Sequence, residues 1–149
     1  WMIATFVGRW KWIGLVGTLL LSMQIFNNLP SPAELQTDAN ATSWSTTIES
    51  DLQANNQAYL INFTAAWCIT CQTNDKAALA RPRVKEFLSD QNIQYIEADW
   101  TNRNEDIAMG LAKYNRTGIP LYIFWKPGML ESKILPAVLT EDLLIRNMQ

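Results

Sequence analysis

No histidine occurs in the 149 residues, and there are only two cysteines, Cys68 and Cys71. The first absence excludes Ser-His-Asp and Cys-His catalysis within the chain, and with them any histidine-based metal site. The second leaves two thiolates at most. A structural zinc site needs about four ligands of Cys or His type, so the chain builds none alone. Positive charge is scarce and scattered. Arg9 and Lys11 are the only charged residues before Pro30; the other 10 basic residues and all 14 acidic ones follow it, which leaves that part at net -4. With no basic cluster to neutralise a run of phosphates, the charge pattern argues against nucleic acid as a partner. At 48% hydrophobic content, the length supports one core and falls short of two ordinary domains.

The first feature present is a long apolar run. Residues 12–26 read WIGLVGTLLLSMQIF, apolar except for Thr18, Ser22 and Gln24, and the run continues to Leu29 before Pro30 and Pro32 end it. At ~1.5 Å per residue, its roughly 18 residues approach the ~30 Å of a hydrocarbon core. Trp1, Trp10 and Trp12 read as an interfacial belt. Residues 1–30 are therefore expected to form a transmembrane segment, with Arg9 and Lys11 on the cytoplasmic side and the rest of the chain opposite. The competing reading is a buried helix of a soluble domain. Residues 31–42 hold one large apolar residue, Leu35, among Ser, Pro, Ala, Asn, Asp and Thr, and read as a linker. The folded domain is then 43–149.

Within it, residues 58–64 (AYLINFT) form an apolar and aromatic run of strand length, followed at once by WCITC at 67–71 and helical composition to Ala80. Pro82 suits the first turn of a new helix, for which Val84, Phe87 and Leu88 supply an apolar face. Residues 93–100 read as a second strand, parallel to the first because a helical crossover separates them. Asn104 caps a helix whose face is Ile107, Leu111 and Tyr114. Residues 121–125 (LYIFW), a turn at 126–129 and a short strand near 133–135 read as a hairpin, and Thr140 caps a last helix over 141–147. Strand, helix, strand, helix, hairpin, helix is the order of the thioredoxin fold, an α/β architecture with a central mixed sheet flanked by helices. Residues 44–47 and 48–54 are expected to add an edge strand and a helix in front.

The cysteine spacing carries the chemistry. Cys68 falls directly after a strand and at the start of a helix, where unpaired backbone N–H groups and the helix dipole favour an anion. Cys71 lies three residues on, within disulfide reach, further into the helix and therefore more buried and less acidic. The asymmetry makes Cys68 the attacking thiol and Cys71 the resolving one. Were the Cys68 pKa to fall from ~8.5 to ~7, the thiolate fraction at pH 7 would rise from about 3% to about 50%, and the lower nucleophilicity would cancel all but a few-fold of that gain. Positioning of Cys71 and docking of the partner carry the rest. Two other readings stay open: a structural staple, which for so short a loop contributes only ~2 kcal/mol, and a two-thiolate copper(I) site.

Three motifs in order, Phe63-Thr64-Ala65-Ala66-Trp67-Cys68-Ile69-Thr70-Cys71, Ala98-Asp99-Trp100-Thr101-Asn102-Arg103 and Gly118-Ile119-Pro120-Leu121-Tyr122, resemble the C-terminal thioredoxin-like domain of the DsbD family, bacterial membrane thiol:disulfide interchange proteins. The apolar N-terminal segment resembles the last transmembrane helix of that family's electron-carrying domain. The resemblance implies a protein-disulfide reductase at the inner membrane, with its catalytic domain on the periplasmic side. Electrons would reach it from the membrane domain upstream in the same protein and pass to extracytoplasmic thiol:disulfide proteins, with no cofactor beyond the redox-active Cys68–Cys71 pair. It also implies that Trp67 flanks the pair and that Ile119-Pro120 forms a cis-proline loop. Two positions depart from or extend the pattern. Many thioredoxin-like domains carry a buried aspartate six residues before the first cysteine, where this chain has Asn62, which cannot take a proton. Asp75, seven residues after Cys68, aligns with an acidic residue that the family places near the active site. A single-anchor thioredoxin of cytochrome c maturation is the alternative within the enzymes.

Overall fold

Neither of the two central strands turns a face to solvent. In the computed structural model, which describes residues 42–149, β2 (Tyr59–Thr64) and β4 (Leu121–Trp125) are buried at every position. Helices cover both faces of the sheet, so these strands read as near-continuous apolar runs, broken only by the buried polar Asn62 and Thr64 of β2. The transmembrane segment expected over 1–30, and the linker up to its last residue, lie outside the described residues. Among the described residues no helix is long and apolar enough to cross a membrane.

The remaining elements are β1 (Thr42–Ser43), α1 (Ile48–Ala54), α2 (Ile69–Asn74), α3 (Pro82–Asp90), β3 (Gln94–Asp99), α4 (Glu105–Lys113), β5 (Lys133–Ile134) and α5 (Glu141–Met148). The sheet order is β1-β3-β2-β4-β5. β3 runs parallel to both β1 and β2, whereas β4 is antiparallel to β2 and to β5. Residues alternate across the two faces. Leu60, Tyr122 and Phe124 pack with Val84, Leu88 and Leu144 on one side, and Ile61, Phe63 and Ile123 pack with Ile107 and Leu111 on the other. This is the thioredoxin-like α/β arrangement, a mixed sheet between helices.

Local signals explain most boundaries. The Asn104 side chain accepts from the Asp106 and Ile107 amides at 2.7 and 3.3 Å, and Thr140 Oγ1 accepts from the Leu143 amide at 3.3 Å. Pro82 opens α3, where its missing N–H costs nothing. Gly128, at φ +93°, supplies the left-handed residue of the hairpin turn, closed by the Met129 amide on the Lys126 carbonyl at 3.1 Å.

Two expectations shift. The edge strand read at 44–47 lies instead at Thr42–Ser43, because Trp44 turns its ring inward to Phe63, with centroids 5.8 Å apart. Its amide makes one last bond to the Glu97 carbonyl at 3.0 Å. The helix read as continuous to Ala80 is α-helical only to Asn74; Asp75–Leu79 forms a wider π turn, in which the Ala80 amide reaches the Asp75 carbonyl at 2.8 Å. Such turns often accompany functional sites.

Candidate active site

The chain leaves β2 at Thr64, makes a tight turn through Ala66 and Trp67, and enters α2 at Cys68. The Cys68 amide closes that turn on the Ala65 carbonyl at 3.0 Å. Cys68 is the N-cap of α2, in extended conformation at φ -89° and ψ 98°, and its Sγ accepts the Cys71 amide N–H at 3.1 Å. A side-chain acceptor at this position meets one of the orphan donors of the first turn, and a thiolate would gain most from it. Cys68 and Cys71 are joined in a disulfide, with Cα atoms 5.2 Å apart.

The difference in burial between the two is smaller than their places along the helix imply. Cys68 is 7% exposed and Cys71 3%. Ala65 is buried in one cluster with the two cysteines, and Ile119 packs against that cluster. Ile119 belongs to the loop expected to carry a cis proline, and the Ile119–Pro120 peptide is cis. Thus the second and third motifs of the sequence meet the first in space. Trp67, which precedes Cys68 in the chain, is 48% exposed. Its indole N–H donates to the Thr101 carbonyl at 3.1 Å, its ring lies 6.2 Å from that of Trp100, and the Arg103 guanidinium sits 5.3 Å from its centroid.

Asn62 meets Tyr95, whose ionisation the charge of the exposed Asp75 also opposes. Asn62 is 5% exposed, and its Nδ2 donates to the Tyr95 hydroxyl at 2.8 Å, while its buried Oδ1 has no hydrogen-bond partner among the described residues. Burial holds the Tyr95 phenol well above its ordinary range, and the charges of Glu97 and Asp75 push it further up. Burial also pushes Tyr122 up to about 12, with the Asp75 charge contributing, against a hydrogen bond from Asn74 that lowers it. Asn74 is itself 1% exposed and fully used: its Nδ2 donates to the Tyr122 hydroxyl at 2.9 Å and the Ala137 carbonyl at 2.7 Å, and its Oδ1 accepts from the Leu139 amide at 3.0 Å. Sequence reasoning did not find Tyr95, Tyr122 or Asn74. Tyr95 and Tyr122 lie on the face of Leu60 and Phe124, since the register pairs Leu60 with Tyr95 and Asn62 with Tyr122; pairing between strands, which no local pattern gives, brings them together.

A Cys-x-x-Cys disulfide at a helix N-terminus, beside a cis-proline loop on a thioredoxin-like sheet, defines the class of thiol:disulfide oxidoreductases, which use no cofactor beyond the cysteine pair. Comparison with known proteins agrees. A family model described as thioredoxin-like matches residues 41–127, and the chain belongs to that family. It is 27% identical over 97 residues to the thiol:disulfide interchange protein DsbD of Campylobacter jejuni, a match covering 65% of this chain and 17% of that protein. It is also 27% identical over 135 residues to the DsbD of Salmonella typhi, covering 83% of this chain and 23% of that protein. The chain thus spans about a fifth of the length of these relatives. Among solved structures, the reduced C-terminal domain of Neisseria meningitidis DsbD superposes with a TM-score of 0.56 at 19% identity, covering 68% of this chain and 88% of that one. A thioredoxin from Thermus thermophilus gives 0.56 at 18%, covering 73% and 85%. At such identities the structures speak for the fold, and the sequence relatives add a likeness to DsbD over about a fifth of its length.

Proposed function

We propose that this domain reduces disulfides of extracytoplasmic thiol proteins, with Cys68 as nucleophile and Cys71 as resolving thiol. The observation that carries the assignment is the Cys71 amide on Cys68 Sγ at 3.1 Å: the helix terminus serves one sulfur and not the other. In the dithiol form, the Cys68 thiolate attacks a partner disulfide, forming a mixed disulfide and releasing one partner thiolate. Cys71, losing its proton, then attacks Cys68 Sγ and expels the second partner thiolate. Two electrons leave the domain, and the Cys68–Cys71 disulfide remains. A dithiol in a membrane electron-carrier domain upstream restores it by the reverse exchange. In this scheme Trp67, Ile119 and Pro120 border the reacting sulfurs, and Asp75 tunes them.

The reading extends to place and anchoring. Residues 1–30 cross the bacterial inner membrane, residues 31–42 link, and the domain from 43 onward works on the periplasmic side. Supporting this, residues 12–26 are an apolar run bounded by Lys11, and the Salmonella typhi match covers 83% of the chain, more than residues 42–149 provide.

The test is trapping. Each single mutant of the full chain is reduced, mixed with an oxidised extracytoplasmic thiol protein and run on a non-reducing gel, with peptide mapping of any linked species. Cys71→Ala accumulates an adduct through Cys68, and Cys68→Ala accumulates none. Equal yields from both mutants, or none from either, sink the assignment. A copper(I) module, by contrast, shows stoichiometric metal binding that the double mutant loses, with no such asymmetry.

A further inference from the structure

Every polar group of Thr101 is engaged, and the partners divide between one carboxylate and the two residues before Cys68. Its amide donates to Asp99 Oδ1 at 2.9 Å, and its hydroxyl donates to the same oxygen. The hydroxyl oxygen accepts the Ala66 amide N–H at 2.8 Å, and the carbonyl accepts the Trp67 indole N–H at 3.1 Å. Asp99 is the last residue of β3, in register with Thr64 at the end of β2. The carboxylate therefore stands on the rigid sheet, beside the point where the chain departs for the cysteines.

A threonine hydroxyl has one proton to give. With that proton committed to Asp99, a lone pair faces the Ala66 amide. Ala66 and Trp67 are the central residues of the turn that the Cys68 amide closes on the Ala65 carbonyl. Gln72 holds the same turn from the helix side, its Nε2 donating to the Ala66 carbonyl. The turn that delivers Cys68 to the N-cap is thus clamped at its amide, its carbonyl and its indole. We infer that Thr101, oriented by Asp99, is a positioning residue for the exchange reaction: it fixes the 65–67 turn so that Cys68 Sγ meets the Cys71 amide. The hydrogen bonds of Thr101 go to Ala66, Trp67 and Asp99, so it carries no proton to the sulfurs. The inference deepens the exchange proposed at Cys68 and rests on it.

The substitutions are Thr101→Val, which keeps the shape and removes the hydroxyl, Thr101→Ser, which returns it, and Asp99→Ala, which leaves the hydroxyl without its orienting partner. Each is made in the full chain in detergent micelles, reduced, and assayed two ways: the rate of reaction with oxidised glutathione, and the pH profile of Cys68 alkylation by iodoacetamide. Losing one hydrogen bond at the turn slows exchange by about three- to tenfold and moves the Cys68 profile to higher pH, because the thiolate loses part of its amide donor. Thr101→Ser recovers most of the rate, and Asp99→Ala shifts the profile in the direction of Thr101→Val. A merely structural contact lowers the melting temperature and leaves the profile in place. Thr101→Val matching wild type in both assays, or Thr101→Ser as slow as Thr101→Val, overturns the inference. Should Thr101→Val fail to fold, Asp99→Ala decides by the same two measurements. Absence of glutathione exchange in the wild type counts against the proposed function instead, while the alkylation profiles still judge the clamp.

Discussion

The Cys71 amide points its hydrogen at Cys68 Sγ across 3.1 Å, so the resolving residue helps to stabilise the charge on its partner. This predicts which thiol titrates first. In the reduced domain, Cys68 should alkylate with an apparent pKa below the ordinary ~8.5, and Cys71 above it, since the latter is the more buried and caps nothing. Timed iodoacetamide labelling with peptide mass mapping separates the two. Faster labelling of Cys71 would reverse their roles.

Asp75 acts on the phenols of Tyr95 and Tyr122, which gives its substitution two readouts. Asp75→Asn should lower the Tyr122 pKa, by removing a negative charge that opposes ionisation. It should also lower the Cys71 pKa and change the pH dependence of exchange. A lowered phenol pKa beside an unchanged exchange profile would confine Asp75 to the tyrosines.

Asn62 makes the complementary case. Among the described residues its buried Oδ1 lacks a hydrogen-bond partner, while its amide nitrogen serves Tyr95. Asn62→Asp installs a group that can be protonated where none exists now. Burial should raise that carboxyl above ~3.9, and exchange should acquire a further ionisation on its acidic side. A profile superimposable on that of the wild type would show that this position does not communicate with the sulfurs.

The tyrosines also predict an alkaline limit. The phenols of Tyr59, Tyr95, Tyr114 and Tyr122 all titrate above the unfolded value of 10.0 in the folded chain, with burial the first cause in each. A raised folded pKa means that the stability from keeping the phenol neutral is whole below pH 10 and is lost as pH rises through the folded value, about 12 for Tyr122. Each such group steepens the loss by up to about 1.4 kcal/mol per pH unit. Urea unfolding from pH 8 to 11.5 should show a plateau and then a decline, and Tyr122→Phe should make the decline shallower. An equal slope in the variant would remove Tyr122 from the account.

Local grammar made much of this legible in the residues. Pro82, Asn104 and Thr140 marked helix starts because caps act within one turn. The Cys-x-x-Cys pair declared itself because its geometry spans a single helical turn. What stayed hidden depends on contacts between distant residues. Thr101 reaches Ala66 across 35 positions, and Tyr95 reaches Asn62 across 33. The edge strand was misplaced for the same reason: Trp44 has strand propensity, but tertiary packing claims its ring.

That ring sets the last prediction. Gly110 lies buried in α4, and a Cβ added there would stand 2.7 Å from Trp44 Cζ2, 2.9 Å from Cη2 and 3.1 Å from Phe63 Cε1. Two effects oppose each other in Gly110→Ala. Helix propensity favours alanine by about 1 kcal/mol in a helix interior. Overpacking a well-filled core costs typically 1–3 kcal/mol, and the atoms in the way belong to rigid aromatic rings, so relief requires moving a whole indole. Steric cost should therefore win, with net destabilisation of about 0.5–2 kcal/mol, concentrated where Trp44 joins β1 to the sheet. Denaturant unfolding of Gly110→Ala against wild type measures the balance. The double variant Trp44→Ala with Gly110→Ala should be more stable than Trp44→Ala alone, because without the indole only the propensity gain and the lesser contact with Phe63 remain. A stabilised single variant would mean that the ring yields freely and that β1 is held by something other than this contact.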